Sequence, residues 1–315
     1  MKSATNKLAI VQVPPVFLDR QQTLERAVNS IDQAASQGAK LVVFPEAFIP
    51  GYPAWIWRLR PGSDWGLCES LHARLLDQAV DIEHGDLAPL SAAARQHGIT
   101  ILCGINERDS TLSRTTLFNS YVVIGTDGEL QNVHRKLMPT NPERMVWGFG
   151  DGAGLNAVDT PCGRVGSLIC WENYMPLARY ALYAQGVEIY FAPTYDSGDD
   201  WVESLRHIAR ESGCWVVGGG TLLRGSDMQF ELDGASELYP DHEEWVNPGD
   251  SVVIAPGGKL VAGPMHQEQG ILYAEIDLMQ IGTARRTMDV TGHYARTDIL
   301  QLHVNRKPQS PVNFS

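Results

Sequence analysis

The stretch "RVGSLICWENYMP" (Arg164–Pro176) decides how the chain is read. An apolar run enters it, reaches a cysteine at position 170, and turns polar at Glu172 and Asn173. A short apolar run bounded by turn signals is the mark of a buried strand, which puts Cys170 at a strand end. Most cysteines are small buried packing residues. The reading turns on whether Cys170 fills a core or serves as a nucleophile. Asn173 is placed to cap a helix over 174–185, with Pro176 in its first turn and Gly186 past its end.

Working outward, apolar strands alternate with amphipathic helices. "LAIVQV" (8–13) and "LVVF" (41–44) read as strands. Between them Asp19 caps a helix with apolar positions at Leu24, Ala27, Val28, Ile31, Ala34 and Ala35, stopped by Gly38. Asp86 opens a second helix that ends at Gly98, followed by the strand "ITILCGI" (99–105). Residues 117–136 form a hairpin around Asp127-Gly128. After Cys170 come the strand "VEIYFAP" (187–193), a helix over 201–212 with a capping-box-like start at Asp200 and Glu203, and the strand "CWVVGG" (214–219). Residues 221–250 are polar and acidic and read as a long loop. "SVVIAP", "KLVAGP" and "ILYAEIDL" are late strands. This alternation implies an α/β fold with a mixed sheet covered by helices. No linker divides the chain, so one domain spans 1–305 and 306–315 form a C-terminal tail.

The bulk numbers exclude some partners. The chain has 315 residues, 43% hydrophobic and 20% charged, an ordinary globular composition. Its formal net charge of −12 argues against a nucleic-acid groove or an anionic membrane surface. No apolar run approaches a membrane span, and no signal peptide is read at the N-terminus. The five cysteines are dispersed and never form a C-x-x-C pair, which points to reduced thiols and a cytoplasmic protein.

Two kinds of site fail on spacing or context. The nine histidines show no H-x-x-x-H or H-E-x-x-H spacing, so no metal and no cofactor is expected. "GFGDGAG" (148–154) superficially matches a dinucleotide fingerprint, but no strand precedes it and no helix follows, so it reads as a flexible loop.

Three positions remain, each following a predicted strand: Glu46 after "LVVFP", Lys136 after "ELQNVHR" and Cys170 after "RVGSLI". Alone, each is an ordinary loop or core residue. Together they make a chemical set at the strand ends, where α/β sheets bind ligands. A thiol needs a base to become a thiolate near neutrality, a carboxylate supplies one, and a lysine stabilises developing negative charge.

"FPEAFIPGYP" (44–53), "HRKLMPTNPERMVWGFGDG" (134–152) and "CWEN" (170–173) resemble the three signature segments of the nitrilase, or carbon–nitrogen hydrolase, superfamily, and "CWEN", "ERMVWGFGDG" (143–152) and "GHYARTD" (292–298) resemble its true nitrilase branch. The resemblance implies a Glu46-Lys136-Cys170 triad on a four-layer α-β-β-α sandwich. It also implies a homodimer pairing sandwich to sandwich, often extended into a larger homo-oligomer or spiral. The implied reaction converts a small-molecule nitrile and water to the carboxylic acid and ammonia, through a thioimidate and a thioester on Cys170. An amidase using the same triad and a catalytically silent scaffold or binding protein are the alternatives. Glu143 matches a second glutamate near the triad. Tyr52, Trp171 and Trp147 are candidate pocket walls, and the Trp171 N–H is a candidate oxyanion donor. The roles of Glu172 and His293 stay open at this point.

Overall fold

The first strand, β1 (Thr5–Gln12), shows how the layers form. Ala9 and Val11 point to one face, Leu8 and Ile10 to the other, and all four are buried. A strand covered on both faces has no polar alternation, which is why its sequence runs continuously apolar. The computed structural model describes residues 5–60, 62–111, 113–229, 232, 234, 236–310 and 312.

β1 lies inside a six-stranded sheet. The first half of the chain supplies α1 (Arg20–Ser36), β2 (Leu41–Val43), α2 (Trp65–Gln78), α3 (Ala88–His97), β3 (Thr100–Arg108), β4 (Leu117–Ile124) and β5 (Leu130–Arg135). The second half supplies β6 (Val158–Thr160), β7 (Gly163–Ser167), α4 (Pro176–Tyr183), β8 (Ile189–Thr194), α5 (Asp199–Ser212), β9 (Trp215–Gly220), β10 (Leu222–Arg224), β11 (Trp245–Ala255), β12 (Lys259–His266), β13 (Gly270–Asp277) and α6 (Met279–Thr287). The first sheet has the order β13-β1-β2-β3-β4-β5. The second runs β10-β11-β9-β8-β7-β6, with β12 also paired to β11.

Three cores separate four layers. Ala27 and Ile31 of α1 and Leu90 and Ala94 of α3 pack on Val11, Val42, Ile101 and Val122, the outer face of the first sheet. Ile10, Val43 and Val123 of that sheet meet Val165, Phe191, Val217 and Val253 of the second. On the far face Ala178 and Leu182 of α4 and Leu205 and Ile208 of α5 cover Tyr190, Val216 and Ile254. The architecture is therefore the expected α-β-β-α sandwich. Each aliphatic chain moved from water into these cores contributes about 1.5–3 kcal/mol. No helix among the described residues is long and apolar enough to cross a membrane.

Helix starts depart from the sequence reading more than strands do. Asp19 does cap α1, accepting the Gln22 N–H at 2.9 Å. Asp86 does not cap α3, whose N-cap is Leu87; its carboxylate accepts the Asp81 N–H and faces Arg20. Asn173 does not cap α4, which begins at Pro176 behind Met175. Its side chain is buried, donating to the carbonyls of Leu168 and Cys170. α5 starts at Asp199 behind Gly198, without a side-chain cap at Asp200. α2 is absent from the sequence reading because only Leu71 and Leu75 are buried along its 14 residues, too narrow a stripe to stand out. The stretch 221–250 is not one loop: it holds β10, two 3-10 turns and the start of β11. "GFGDGAG" is not a free loop either. Cβ atoms at Gly150 and Gly154 would lie 2.1 Å from the carbonyl oxygens of Arg135 and Val133, so the glycines let the segment lie flat on β5.

Gly104, within β3, has a similar task at the site described next. A Cβ there would fall 2.2 Å from the Pro45 carbonyl oxygen and 2.6 Å from the Ala47 nitrogen. Gly104→Ala is expected to destabilise by about 1–3 kcal/mol, as overpacking does. Gly282→Ala in α6, where a Cβ meets nothing within 4 Å, is expected to gain up to about 1 kcal/mol from helix propensity. Urea midpoints of the two variants should move in opposite directions, and a shift in the same direction would contradict the packing assigned to Gly104.

Candidate active site

Four strand ends converge on one point. β2 and β3 run parallel, and β5 shares their direction through two antiparallel steps across β4. β7 and β8 are parallel in the second sheet. Glu46 follows β2, Lys136 follows β5, Cys170 follows β7 and Tyr195 follows β8. Chain direction thus delivers all four to the same rim of the two sheets.

The turn carrying Glu46 is pressed against Gly104, and Ala47 holds a φ of 49°. Lys136 is fixed through its backbone. Its N–H donates to the Asn119 carbonyl at 2.8 Å, and its carbonyl accepts from the Gly150 N–H at 2.8 Å. Cys170 has a φ of 51°, in the left-handed region that few non-glycine residues occupy. Such strain persists only where surrounding contacts over-determine it, and it is common at functional sites. A 3-10 turn, Cys170–Tyr174, begins at the cysteine itself.

The ammonium of Lys136 is buried and donates to Glu46 Oε1 and to Glu143 Oε2, both at 2.8 Å. Glu46 Oε1 also accepts from the Asn119 amide at 2.7 Å, and its Oε2 accepts the Tyr195 N–H at 2.7 Å. Glu143 Oε1 accepts the Tyr52 hydroxyl at 2.7 Å, while Oε2 accepts the Thr140 N–H at 2.6 Å. The Cys170 sulfur accepts a hydrogen bond from the Thr194 hydroxyl at 3.2 Å.

Burial raises Glu46 above the usual carboxylate range, and Glu143 adds to the rise although Lys136 opposes it. Burial works against the Lys136 charge, but Glu46 and Glu143 outweigh it and hold the ammonium protonated. Burial and the nearby Glu46 push the Cys170 thiol up, with Lys136 and the Thr194 hydrogen bond only partly offsetting them. The resting arrangement is therefore a thiol beside a carboxylate that accepts protons more readily than usual.

A cavity of about 250 Å³ opens on Cys170, lined by Tyr52, Trp57, Thr140, Glu143, Trp171, Tyr195, Asp196, Ser197, Val246 and Asn247. Tyr52 stacks on Tyr195 with ring centres 3.8 Å apart. Trp171 is 46% exposed at the mouth, its indole N–H donating to Asp196 at 2.8 Å. Trp147 does not line the cavity. It stands behind Tyr52, edge-on at 5.5 Å, and donates to Asn106. His293 is exposed against Tyr294 and is not among the cavity's lining residues. A larger apolar hollow of about 360 Å³ lies between α2 and the turn at Ala54–Trp57, and its lining includes none of Glu46, Lys136, Glu143 and Cys170. Chemistry, not size, singles out the smaller cavity.

Sequence reasoning missed Tyr195, Thr194, Asn119, Thr140 and Asp196. Thr194 and Tyr195 had a usable signal, since they end the apolar strand of β8 just as Cys170 follows that of β7. Asn119 had none, because a polar residue within β4 reads as solvent-facing until the second sheet is known to cover it.

The family model for the carbon–nitrogen hydrolases matches residues 7–286. A bifunctional nitrilase/nitrile hydratase of Nicotiana tabacum is 39% identical over 327 residues, covering 99% of this chain and 89% of that protein. Nitrilase 3 of Arabidopsis thaliana is also 39% identical, covering 99% of this chain and 90% of its own length. Among solved structures, a carbon–nitrogen hydrolase of Helicobacter pylori G27 superposes with a TM-score of 0.71 at 22% identity, over 94% of this chain and 97% of that one. A Saccharomyces cerevisiae member of branch 10 of the nitrilase superfamily gives 0.68 at 21% identity, over 92% and 96% of the two chains. With two stacked sheets, outer helices and this agreement along nearly its whole length, the chain belongs to the carbon–nitrogen hydrolase family.

Proposed function

We propose that this protein is a nitrilase that converts a small organic nitrile to its carboxylic acid and ammonia. The observation that carries the proposal is the Glu46-Lys136-Glu143 array buried behind a strained cysteine that opens on a cavity. Whole-length similarity to plant nitrilases favours nitriles over amides as substrates.

The chemistry follows from the residue types. Glu46 takes the Cys170 proton as sulfur bonds to the nitrile carbon and passes it to the nitrogen, giving a neutral thioimidate and an ionised Glu46. Lys136 and the backbone N–H of Trp171 stabilise the charge that develops on nitrogen. A water adds, its protons passing to nitrogen by way of Glu46, and ammonia leaves with cleavage of the C–N bond. A second water, deprotonated by Glu46, attacks the thioester and releases the acid and the free thiol. Glu143 holds Lys136 by accepting a second hydrogen bond from its ammonium. Tyr52 and Trp171 contact the substrate, and Trp147 supports Tyr52. A protein with five free cysteines suits a reducing compartment such as the cytoplasm. We also assign residues 1–305 to one catalytic domain and 306–315 to a tail, and expect a homodimer or larger homo-oligomer. The apolar side chains exposed at Met279, Ile299 and Leu300 supply surface for such assembly.

Two measurements test this reading. Ammonia release from a panel of about twenty nitriles and their matching amides should find at least one nitrile turned over faster than its amide, with Cys170→Ala slower by at least about 10³-fold. Faster turnover of the amides would make the protein an amidase, and equal rates with Cys170→Ala would remove the cysteine from the mechanism.

The pH profile has a definite sign. The base must be ionised, so activity is lost as pH falls through the Glu46 value. Because burial raises that value, the acid limb of kcat/KM should lie above the ordinary glutamate pKa of about 4.3. The thiol and ammonium are both raised, so no alkaline limb is expected at the ordinary thiol value of about 8.5. An acid limb at or below 4.3 contradicts the role given to Glu46.

A further inference from the structure

The carboxylate of Glu172 is fully buried, and no step above uses it. Its Oε1 accepts the Leu137 N–H at 2.7 Å and its Oε2 accepts the Ile169 N–H at 2.6 Å. The His134 ring Nε2 sits 3.1 Å from both oxygens. Burial works to raise the carboxyl, but His134 and the two backbone N–H groups outweigh it and hold Glu172 below its ordinary value, ionised. Leu137 follows Lys136, and Ile169 precedes Cys170.

We propose that Glu172 is a positioning residue that sets the spacing between Lys136 and Cys170, one carboxylate gripping the backbone beside each. The proposal rests on the reading of Cys170 as nucleophile and Lys136 as its electrostatic partner. Lys136 ends a strand of the first sheet and Cys170 a strand of the second, so nothing along the chain fixes their separation. Glu172 bridges the two sheets at that point. It also over-determines the strained backbone of Cys170. Its own N–H donates to the Ile169 carbonyl at 3.1 Å, while Asn173 holds the carbonyls of Leu168 and Cys170 at 2.9 and 2.7 Å. Asn173 is fixed in turn by the Tyr190 hydroxyl at 2.7 Å. His134 aims the carboxylate from β5, the strand that leads to Lys136.

Glu172→Gln keeps the shape of the side chain but turns one acceptor into an NH₂ group facing a backbone N–H. The two proteins are compared by iodoacetamide alkylation of the Cys170 peptide, followed by mass spectrometry at one pH, and by nitrile kinetics, both per folded molecule. Alkylation should slow at least about fivefold and kcat fall about 30- to 100-fold, with KM within about threefold, as expected when reacting groups are misplaced rather than removed. Unchanged alkylation overturns the proposal, whether or not kcat or the melting temperature falls, because the effect would then lie away from Cys170. His134→Leu, which removes the aiming donor but leaves both backbone grips available, should lower kcat and alkylation about three- to tenfold. Loss of thermal stability alone in that variant also overturns the proposal. The wild-type protein offers a measurement that needs no variant to fold: amide exchange at Leu137 and Ile169 should be among the slowest in the chain, and fast exchange at either removes the grip. If no nitrile is turned over, the alkylation and exchange results still decide the role of Glu172, and only the proposed function fails.

Discussion

A buried ammonium held between two carboxyl groups organises this molecule. Taking an ion the size of Lys136 out of water costs several kcal/mol even after relaxation, and only close, well-oriented partners offset it. Glu46 and Glu143 are such partners, each at 2.8 Å. Each is tied further: Glu46 by Asn119 and the Tyr195 N–H, Glu143 by Tyr52 and the Thr140 N–H. Every oxygen of both acids is therefore engaged. Unpaired polar groups are costly at this depth, so the surrounding fold must hold all of these groups in register at once.

The two-sheet architecture meets that demand by placing the network at a seam. Glu46, Lys136 and Asn119 come from the first sheet, and Cys170, Thr194 and Tyr195 from the second. The apolar interior between the sheets holds them face to face, while two carboxylates cross the seam. Glu46 receives the Tyr195 N–H, and Glu172, an acid of the second sheet, receives the Leu137 N–H. Close backbone approach at Gly104 and at Gly150 lets the Glu46 turn and the end of β5 lie near enough to take part.

Strands and their ends were legible because fully buried strands carry continuous apolar runs, and "LVVFP", "LI" and "IYFAP" run into Glu46, Cys170 and Thr194. Cys170 alone was ambiguous, and Glu46 and Lys136 at comparable strand ends changed that. Helix caps were less legible. Asp86 and Asn173 are good capping residues by type, yet other partners claim both: Arg20 faces one, and the Tyr190 hydroxyl together with the carbonyls of Leu168 and Cys170 holds the other. Tertiary contacts override local propensity in this way because a buried amide without partners costs more than a missing cap. Glu172 was illegible for a related reason. Its place directly after the cysteine left a structural role open, and only the folded chain brings the N–H groups of Leu137 and Ile169 to it.

The charge of the array also explains why the thiol waits. Two carboxyl groups face one ammonium, so a thiolate at rest would add a second negative charge that nothing nearby balances. Burial and Glu46 accordingly keep Cys170 protonated. In the proposed reaction, as sulfur bonds to a nitrile carbon the proton moves to Glu46, which burial has already made more basic than a solvated carboxylate. The negative charge then passes to the substrate nitrogen while Lys136 loses an anionic partner, leaving its ammonium free to stabilise what forms. Proton transfer and charge stabilisation are thus two consequences of one electrostatic imbalance, set by the number of acids and bases gathered at a buried site.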